Sequence, residues 1–193
     1  GDPLPELRKL EIADRFDVIC VSPTFSDLPW YADHPTNPKL QQERYLLETV
    51  IPFVEIQYST QAKAAGRFLV GFSKAGWGAF SLILRHPDLF LKAAAWDAPL
   101  MMSESGKYGS GPIFGTAQNF KHYRVARLLE EKASSFSNET RLISLGYDNF
   151  REHHLQIHEL MNQLQVKHIH RDGPQRKHHW ESGWLEEAFG LLF

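Results

Sequence analysis

Phe68-Leu69-Val70-Gly71-Phe72-Ser73-Lys74-Ala75-Gly76-Trp77-Gly78-Ala79 decides how this chain is read. The stretch reads as a buried strand, a sharp turn and a helix. A serine at the apex of such a turn has its hydroxyl lifted clear of the sheet, and the N–H that follows it faces any oxygen held there. The turn is crowded, so small residues are needed two positions before and two after the serine. Gly71 and Ala75 meet that need. The usual G-x-S-x-G pattern has glycine where Ala75 stands, a difference of one methyl group. Ser73 is the candidate nucleophile; the plainer alternative is an ordinary strand-to-helix turn with Ser73 as N-cap.

On either side of this stretch, short apolar runs alternate with helical stretches, the pattern of an α/β fold with a mostly parallel sheet covered by helices on both faces. Strands are predicted at Val18–Val21, Phe68–Val70, Ala93–Trp96, Leu142–Leu145 and Val166–His170. Continuous apolar runs suit strands buried on both faces, and the last run is the weakest because His168 and His170 interrupt it. Between them lie apolar stripes at helical spacing: Leu46, Leu47, Val50, Ile51 and Val54, with Pro52 as a kink or restart; Ala79, Phe80, Ile83 and Leu84; Ile157, Leu160, Met161 and Leu164; and Trp184, Leu185, Ala188, Phe189 and Leu192. No repeat or low-complexity linker interrupts them, so residues 1–193 read as one domain. Residues 97–120 break the rhythm. They are rich in Gly and Pro, with Met101, Met102, Tyr108, Ile113 and Phe114 scattered among them, as in a lid, a binding loop, or a surface loop pinned by its own apolar residues.

The totals are those of an ordinary soluble globular protein. Hydrophobic residues make up 42% and charged residues 23% of the 193 residues, and the formal net charge is -2. Nucleic acid and anionic membranes call for a concentrated basic surface, which this balance does not offer. No apolar run approaches the length of a membrane span. The lone Cys20 excludes an internal disulfide framework and, in Val18-Ile19-Cys20-Val21, reads as a small core residue. The chain begins Gly1-Asp2-Pro3 with no signal peptide, which leaves the compartment open; composition leaves the oligomeric state open too.

Three ordered motifs then carry a family resemblance. Gly71-Phe72-Ser73-Lys74-Ala75-Gly76 with Arg85-His86-Pro87-Asp88-Leu89-Phe90 resembles the elbow and following helix of the esterase D-like, or putative-esterase, family of α/β-hydrolases. That family includes S-formylglutathione hydrolases, enterochelin esterases and mycolyltransferases. Val21-Ser22-Pro23-Thr24-Phe25 with Pro29-Trp30-Tyr31-Ala32-Asp33 resembles its strand and Trp-Tyr loop. His178-His179-Trp180-Glu181-Ser182-Gly183-Trp184 resembles its terminal histidine motif, with an aromatic two positions after the base. The resemblance implies further strands before Val18, one of them beside the nucleophile's strand, and hence a sequence truncated at its N-terminus.

In α/β-hydrolases the order is Ser, then Asp or Glu, then His. With ten histidines in the chain, one after Ser73 proves nothing and position has to decide. His178, two residues before Trp180, stands where the family places its base, and His179 is the alternative. For the acid, Asp148 follows the strand Leu142–Leu145, with Asp97, at the end of Ala93–Trp96, as its rival; Asp148 is also a good helix N-cap. The Lys74 N–H is the first oxyanion donor by elbow geometry. The second belongs to the loop the resemblance places upstream, with Thr24 and Phe25 as substitutes.

Trp30, Tyr31, Trp77, Met101 and Met102, with Trp96, fall near strand ends and would form an apolar wall for an ester; each singly could equally be core. His153, His154 and His158 share helix faces, but no carboxylate or third ligand is placed with them, so they read as a polar face rather than a metal site. The expected chemistry is hydrolysis of a small-molecule carboxylic ester or thioester through an acyl-enzyme, with no cofactor and no metal. The alternatives are acyl transfer to an alcohol by the same triad and a non-catalytic domain that kept the fold.

Overall fold

Three successive strand–helix–strand units build the sheet. The computed structural model describes residues 2–193. Strands β1 (Phe68–Phe72), β2 (Lys92–Trp96), β3 (Leu142–Leu145) and β4 (His168–Arg171) lie in the order β1-β2-β3-β4, all parallel. Helices α1 (Leu4–Lys9) and α2 (Ile12–Phe16) open the chain. A longer helical arm follows: α3 (Gln42–Tyr45), a π-helical turn over Leu46–Val50, and α4 (Ile51–Gln57). Pro52 lacks the N–H that a regular helix would bond back to Glu48, and the widened turn falls just ahead of it. The crossovers are α5 (Lys74–Arg85); then α6 (Gly111–Phe114), α7 (Ala117–Tyr123) and α8 (Val125–Lys132); then α9 (Arg151–Gln163). Helix α10 (Trp184–Leu192) closes the chain.

Side chains alternate across the sheet and divide the core in two. Leu69, Ala93, Ala95 and Leu142 pack under α5, α8 and α9 with Phe80, Ile83, Leu129, Ile157 and Met161. Phe68, Val70, Phe72, Ala94, Trp96, Ile143 and Leu145 face α10 and α2, against Trp184, Leu185, Ala188 and Ile12. Crossovers of one hand put α5, α8 and α9 on the same face. The alanine run of β2 lets α5 approach closely: a Cβ on Gly76 would press on those of Ala95 and Ala98.

Two expectations are corrected. Val18–Val21 forms no ladder among the described residues: Val18 and Cys20 rest against the α10-side core, while Ile19 and Val21 are each 47% exposed. A strand needs a neighbour for its N–H and C=O groups, and this run has none, because β1 pairs only with β2 among the described residues. The fourth ladder strand begins at His168 rather than Val166, whose N–H instead closes the end of α9 on Met161 O at 2.9 Å while its side chain enters the core.

The segment 97–120 is anchored to the core by Ala98, Leu100, Met102, Ile113, Phe114 and Phe120, all buried. Arg85, at the end of α5, binds Glu43 of α3, donates to Tyr31 O at 3.2 Å and lies over the Tyr123 ring. Arg141 donates to the carbonyls of Pro87, Phe90 and Leu91. The Arg85-His86-Pro87-Asp88 motif therefore marks a latch that ties the end of α5 to α3 and to Arg141, just ahead of β3.

Candidate active site

Ser73 stands between the last residue of β1 and the first of α5, with φ 55° and ψ −121°. That is left-handed space for a non-glycine residue, a conformation that costs about 1–3 kcal/mol and persists only where the surroundings enforce it. Here they do. Ser73 N–H continues the ladder to Trp96 O at 2.9 Å, and Ser73 O accepts the Trp77 N–H at 3.1 Å. Gly71 is required because a Cβ there would overlap the carbonyl of Ala75 and the N of Gly76. The small residues recognised in the sequence are thus forced by backbone-to-backbone approach. Lys74 opens the twelve-residue α5, so its N–H is among those with no partner inside the helix.

His178 lies on the loop between β4 and α10. Its Nδ1 is 2.5 Å from Asp97 Oδ2. The ring rests on Phe72 at 4.4 Å between centroids and faces Trp96 at 6.3 Å and Phe150 at 5.9 Å. Phe72 immediately precedes Ser73 and Trp96 immediately precedes Asp97, so the two neighbouring strands present serine, carboxylate and the walls holding the imidazole together. Trp180 explains the aromatic of the terminal motif: it packs on Phe72 at 5.3 Å and on Trp184 at 5.3 Å, pinning the histidine loop to β1 and α10. Arg176 adds a 2.7 Å bond to Glu187 of α10. His179 turns elsewhere, its ring accepting Glu181 N–H at 3.2 Å in the turn after it.

Asp97 is fully buried and has φ 38°. Besides His178 it accepts the N–H of Phe150 at 2.7 Å and of Asn149 at 3.3 Å, the first free donors ahead of α9. The sequence favours Asp148 over Asp97 as the histidine's partner. Asp148 is half-buried, and it offers an oxygen within 4.8 Å of the Asp97 and His178 ligand atoms, but the bond to His178 is made by Asp97. Both strand ends do reach one imidazole. What separates them is that the amides opening α9 converge on Asp97 and hold its carboxylate still.

Of the expected apolar wall, Trp30, Trp77 and Met102 are in the core, where they offer a substrate no surface. Trp30 and Trp77 meet edge to face at 5.4 Å above Phe114. Met101 is part-buried, its N–H bonded to His153 Nδ1 at 3.1 Å. Tyr31 is also part-buried, at φ 53°, with its ring against α5 where a Cβ on Gly78 would overlap it; burial pushes its phenol up to about 12. Thr24 and Phe25 line a cavity of about 460 Å³ with Leu40 and Tyr45, a lining that includes neither Ser73 nor His178.

One polar residue, Gln42, escaped the sequence reading, and another, His154, was expected on a polar helix face and lies in the core instead. The buried Gln42 accepts the N–H groups of Trp30 and Tyr31 at 2.9 Å each and donates to Leu28 O at 2.8 Å, which fixes the Trp-Tyr loop to α3. His154 is fully buried too. Nothing in a local pattern distinguishes either from a solvated helix residue. Asp97, Asp148 and His178 form the cluster with metal-ligand spacing found among the described residues; one partner in it is the imidazole already engaged by Asp97.

Comparisons with known proteins bear on the fold and on the family. Similar solved structures include a ferulic acid esterase (17% identity, TM-score 0.65, covering 83% of this chain and 62% of that one). FphF, a fluorophosphonate-binding serine hydrolase of Staphylococcus aureus, gives 20% identity and a TM-score of 0.64 over 79% of this chain and 63% of its own. An S-formylglutathione hydrolase of the same organism gives 19% and 0.67 over 86% and 68%. The chain thus spans less than two thirds of the length of the first two. A comparison with curated proteins finds no match. At these identities the likeness shows the fold, that of the α/β-hydrolases. The model of the family described as "Putative esterase" matches residues 12–188, nearly the whole chain, and the protein belongs to that esterase family.

Proposed function

We propose that the chain hydrolyses small carboxylic esters, thioesters included, through an acyl-enzyme on Ser73. The observation that carries this is the bond from His178 Nδ1 to the buried Asp97, on a histidine packed against the residue that precedes Ser73. With Nδ1 occupied, Nε2 is the nitrogen left for the serine. Ser73 Oγ attacks the acyl carbon and its proton passes to His178 Nε2. The oxyanion is met by the Lys74 N–H at the head of α5. Collapse breaks the bond to the alcohol or thiol, which leaves with the proton from Nε2. Water then attacks the acyl-serine, giving its proton to the same nitrogen, and the carboxylic acid is released as the proton returns to Ser73. Asp97 fixes the tautomer with hydrogen on Nδ1 and stabilises the imidazolium in each half-reaction.

Incubation with 4-nitrophenyl acetate, quenched early and read by peptide mass, is expected to place an acetyl group on the peptide carrying Ser73. In the presence of added methanol, acetate should remain the main product. An acetyl group on another residue would contradict the assignment. Conversion mainly to methyl acetate would make the enzyme an acyltransferase.

A further inference from the structure

The chain leaving β2 is fastened to α9 beyond the two amides that hold Asp97. His154 Nε2 accepts the Ala98 N–H at 2.8 Å, and His153 Nδ1 accepts that of Met101 at 3.1 Å. His154 is fully buried, its ring lying over Gly146, where a Cβ would overlap it. Its Nδ1 is 2.7 Å from Ser144 Oγ on β3. A backbone N–H can only donate, so Nε2 is unprotonated and the ring's hydrogen sits on Nδ1, donating to Ser144. Burial above all, with His170 and His153 nearby, lowers the His154 pKa to about 3, and the ring keeps this acceptor form at neutral pH. The ester chemistry does not use this imidazole, and an apolar side chain in its place would leave the buried Ala98 N–H without its acceptor.

We propose that His154 is a positioning residue: by accepting the Ala98 N–H it holds the backbone of Asp97, and so aims the Asp97 carboxylate at His178. The proposal rests on the reading of Asp97 as the acid of the triad. Asp97 at φ 38° is a strained non-glycine residue that persists only if clamped on both sides. On one side its own N–H bonds Leu145 O at 3.0 Å. On the other, the next N–H is the one His154 holds. Without that acceptor the Ala98 N–H is a buried orphan, and the turn relaxes to find it a partner. A carboxylate displaced by about 1 Å is enough to cost of the order of 10²-fold in rate.

The test uses the full chain and 4-nitrophenyl acetate, with kcat, KM and thermal unfolding measured for wild type, His154→Leu, His154→Gln, Asp97→Asn and the double variant His154→Leu/Asp97→Asn. His154→Leu is expected to lower kcat about 30- to 100-fold with KM within about twofold. Glutamine places an acceptor oxygen near the Nε2 position and should recover kcat to within about fivefold of wild type. In the Asp97→Asn background the leucine should cost no more than about twofold, because its effect runs through that carboxylate. Additive losses in the double variant, or a folded glutamine variant as slow as the leucine one, would overturn the proposal while leaving Asp97 as acid. An Asp97→Asn enzyme within tenfold of wild type would remove the acid reading, and the proposal with it. If the leucine variant does not fold, Ser144→Ala takes its place: it deprives His154 of its Nδ1 partner and should lower kcat about five- to tenfold at unchanged KM. A wild-type kcat there would equally overturn the proposal.

Discussion

Asp97→Asn is expected to lower kcat for ester hydrolysis about 10⁴-fold with little change in KM, and Asp148→Asn to leave kcat within about tenfold of wild type. The asymmetry follows from the surroundings of the two carboxylates. Asp97 has no solvent contact and its oxygens are committed to His178 Nδ1 and to the amides of Phe150 and Asn149. Asparagine in that place turns an amide N–H toward the ring, and the imidazole answers by moving its hydrogen to Nε2, where it can no longer accept the serine's proton. Asp148 is half-buried and stands within 4.8 Å of the same groups without making the bond. Steady-state kinetics on the two single variants reads the difference directly. The reverse order, with Asp148→Asn the damaging change, would place the acid at the end of β3.

The second large effect is on stability against acid. Burial holds His154 at about 3 and His170 at about 4, and lowers His153 and His168 as well. An unfolded chain takes up protons on these residues near pH 6.5. Between the folded and unfolded values the unfolded state binds more protons, so stability is fully present above pH 6.5 and is lost as pH falls. For the fully buried His154 the loss is about 1.4 kcal/mol per pH unit, roughly 2 kcal/mol between pH 6.5 and 5, before most carboxylates titrate. His170 is part-exposed and adds a smaller share. Urea unfolding across that range should show the decline, and His154→Gln should flatten it by its own share. A constant unfolding free energy from pH 6.5 to 5 would contradict the buried, neutral state of these rings.

Much of the fold can be read from local pattern, because β1, β2 and β3 are runs whose both faces are covered, and such runs are continuous in sequence. Val18–Val21 has the same apolar composition and fails as a strand because pairing depends on a neighbour, which composition does not encode. The elbow is legible for a different reason. Its glycine and alanine answer clashes between residues four or five apart, so the constraint is local. The choice between Asp97 and Asp148 is not local: each follows a strand, and only the direction of the amides at the head of α9 separates them. Trp30, Trp77 and Met102 show the same limit from the apolar side, since an aromatic near a strand end looks alike in a core and in a pocket wall. The spacing of His153, His154 and His158 gives a helix face, but not the backbone N–H groups of Ala98 and Met101 that oppose it.

In the proposed chemistry the strained turn between β1 and α5 presents an activated serine. Labelling with a fluorophosphonate probe, compared between the wild-type chain and Ser73→Ala, reads that activation. Stoichiometric labelling of the wild type that is absent from a folded Ser73→Ala variant is the result expected. Labelling that survives the substitution, or a folded wild-type chain that takes up no probe, would contradict it.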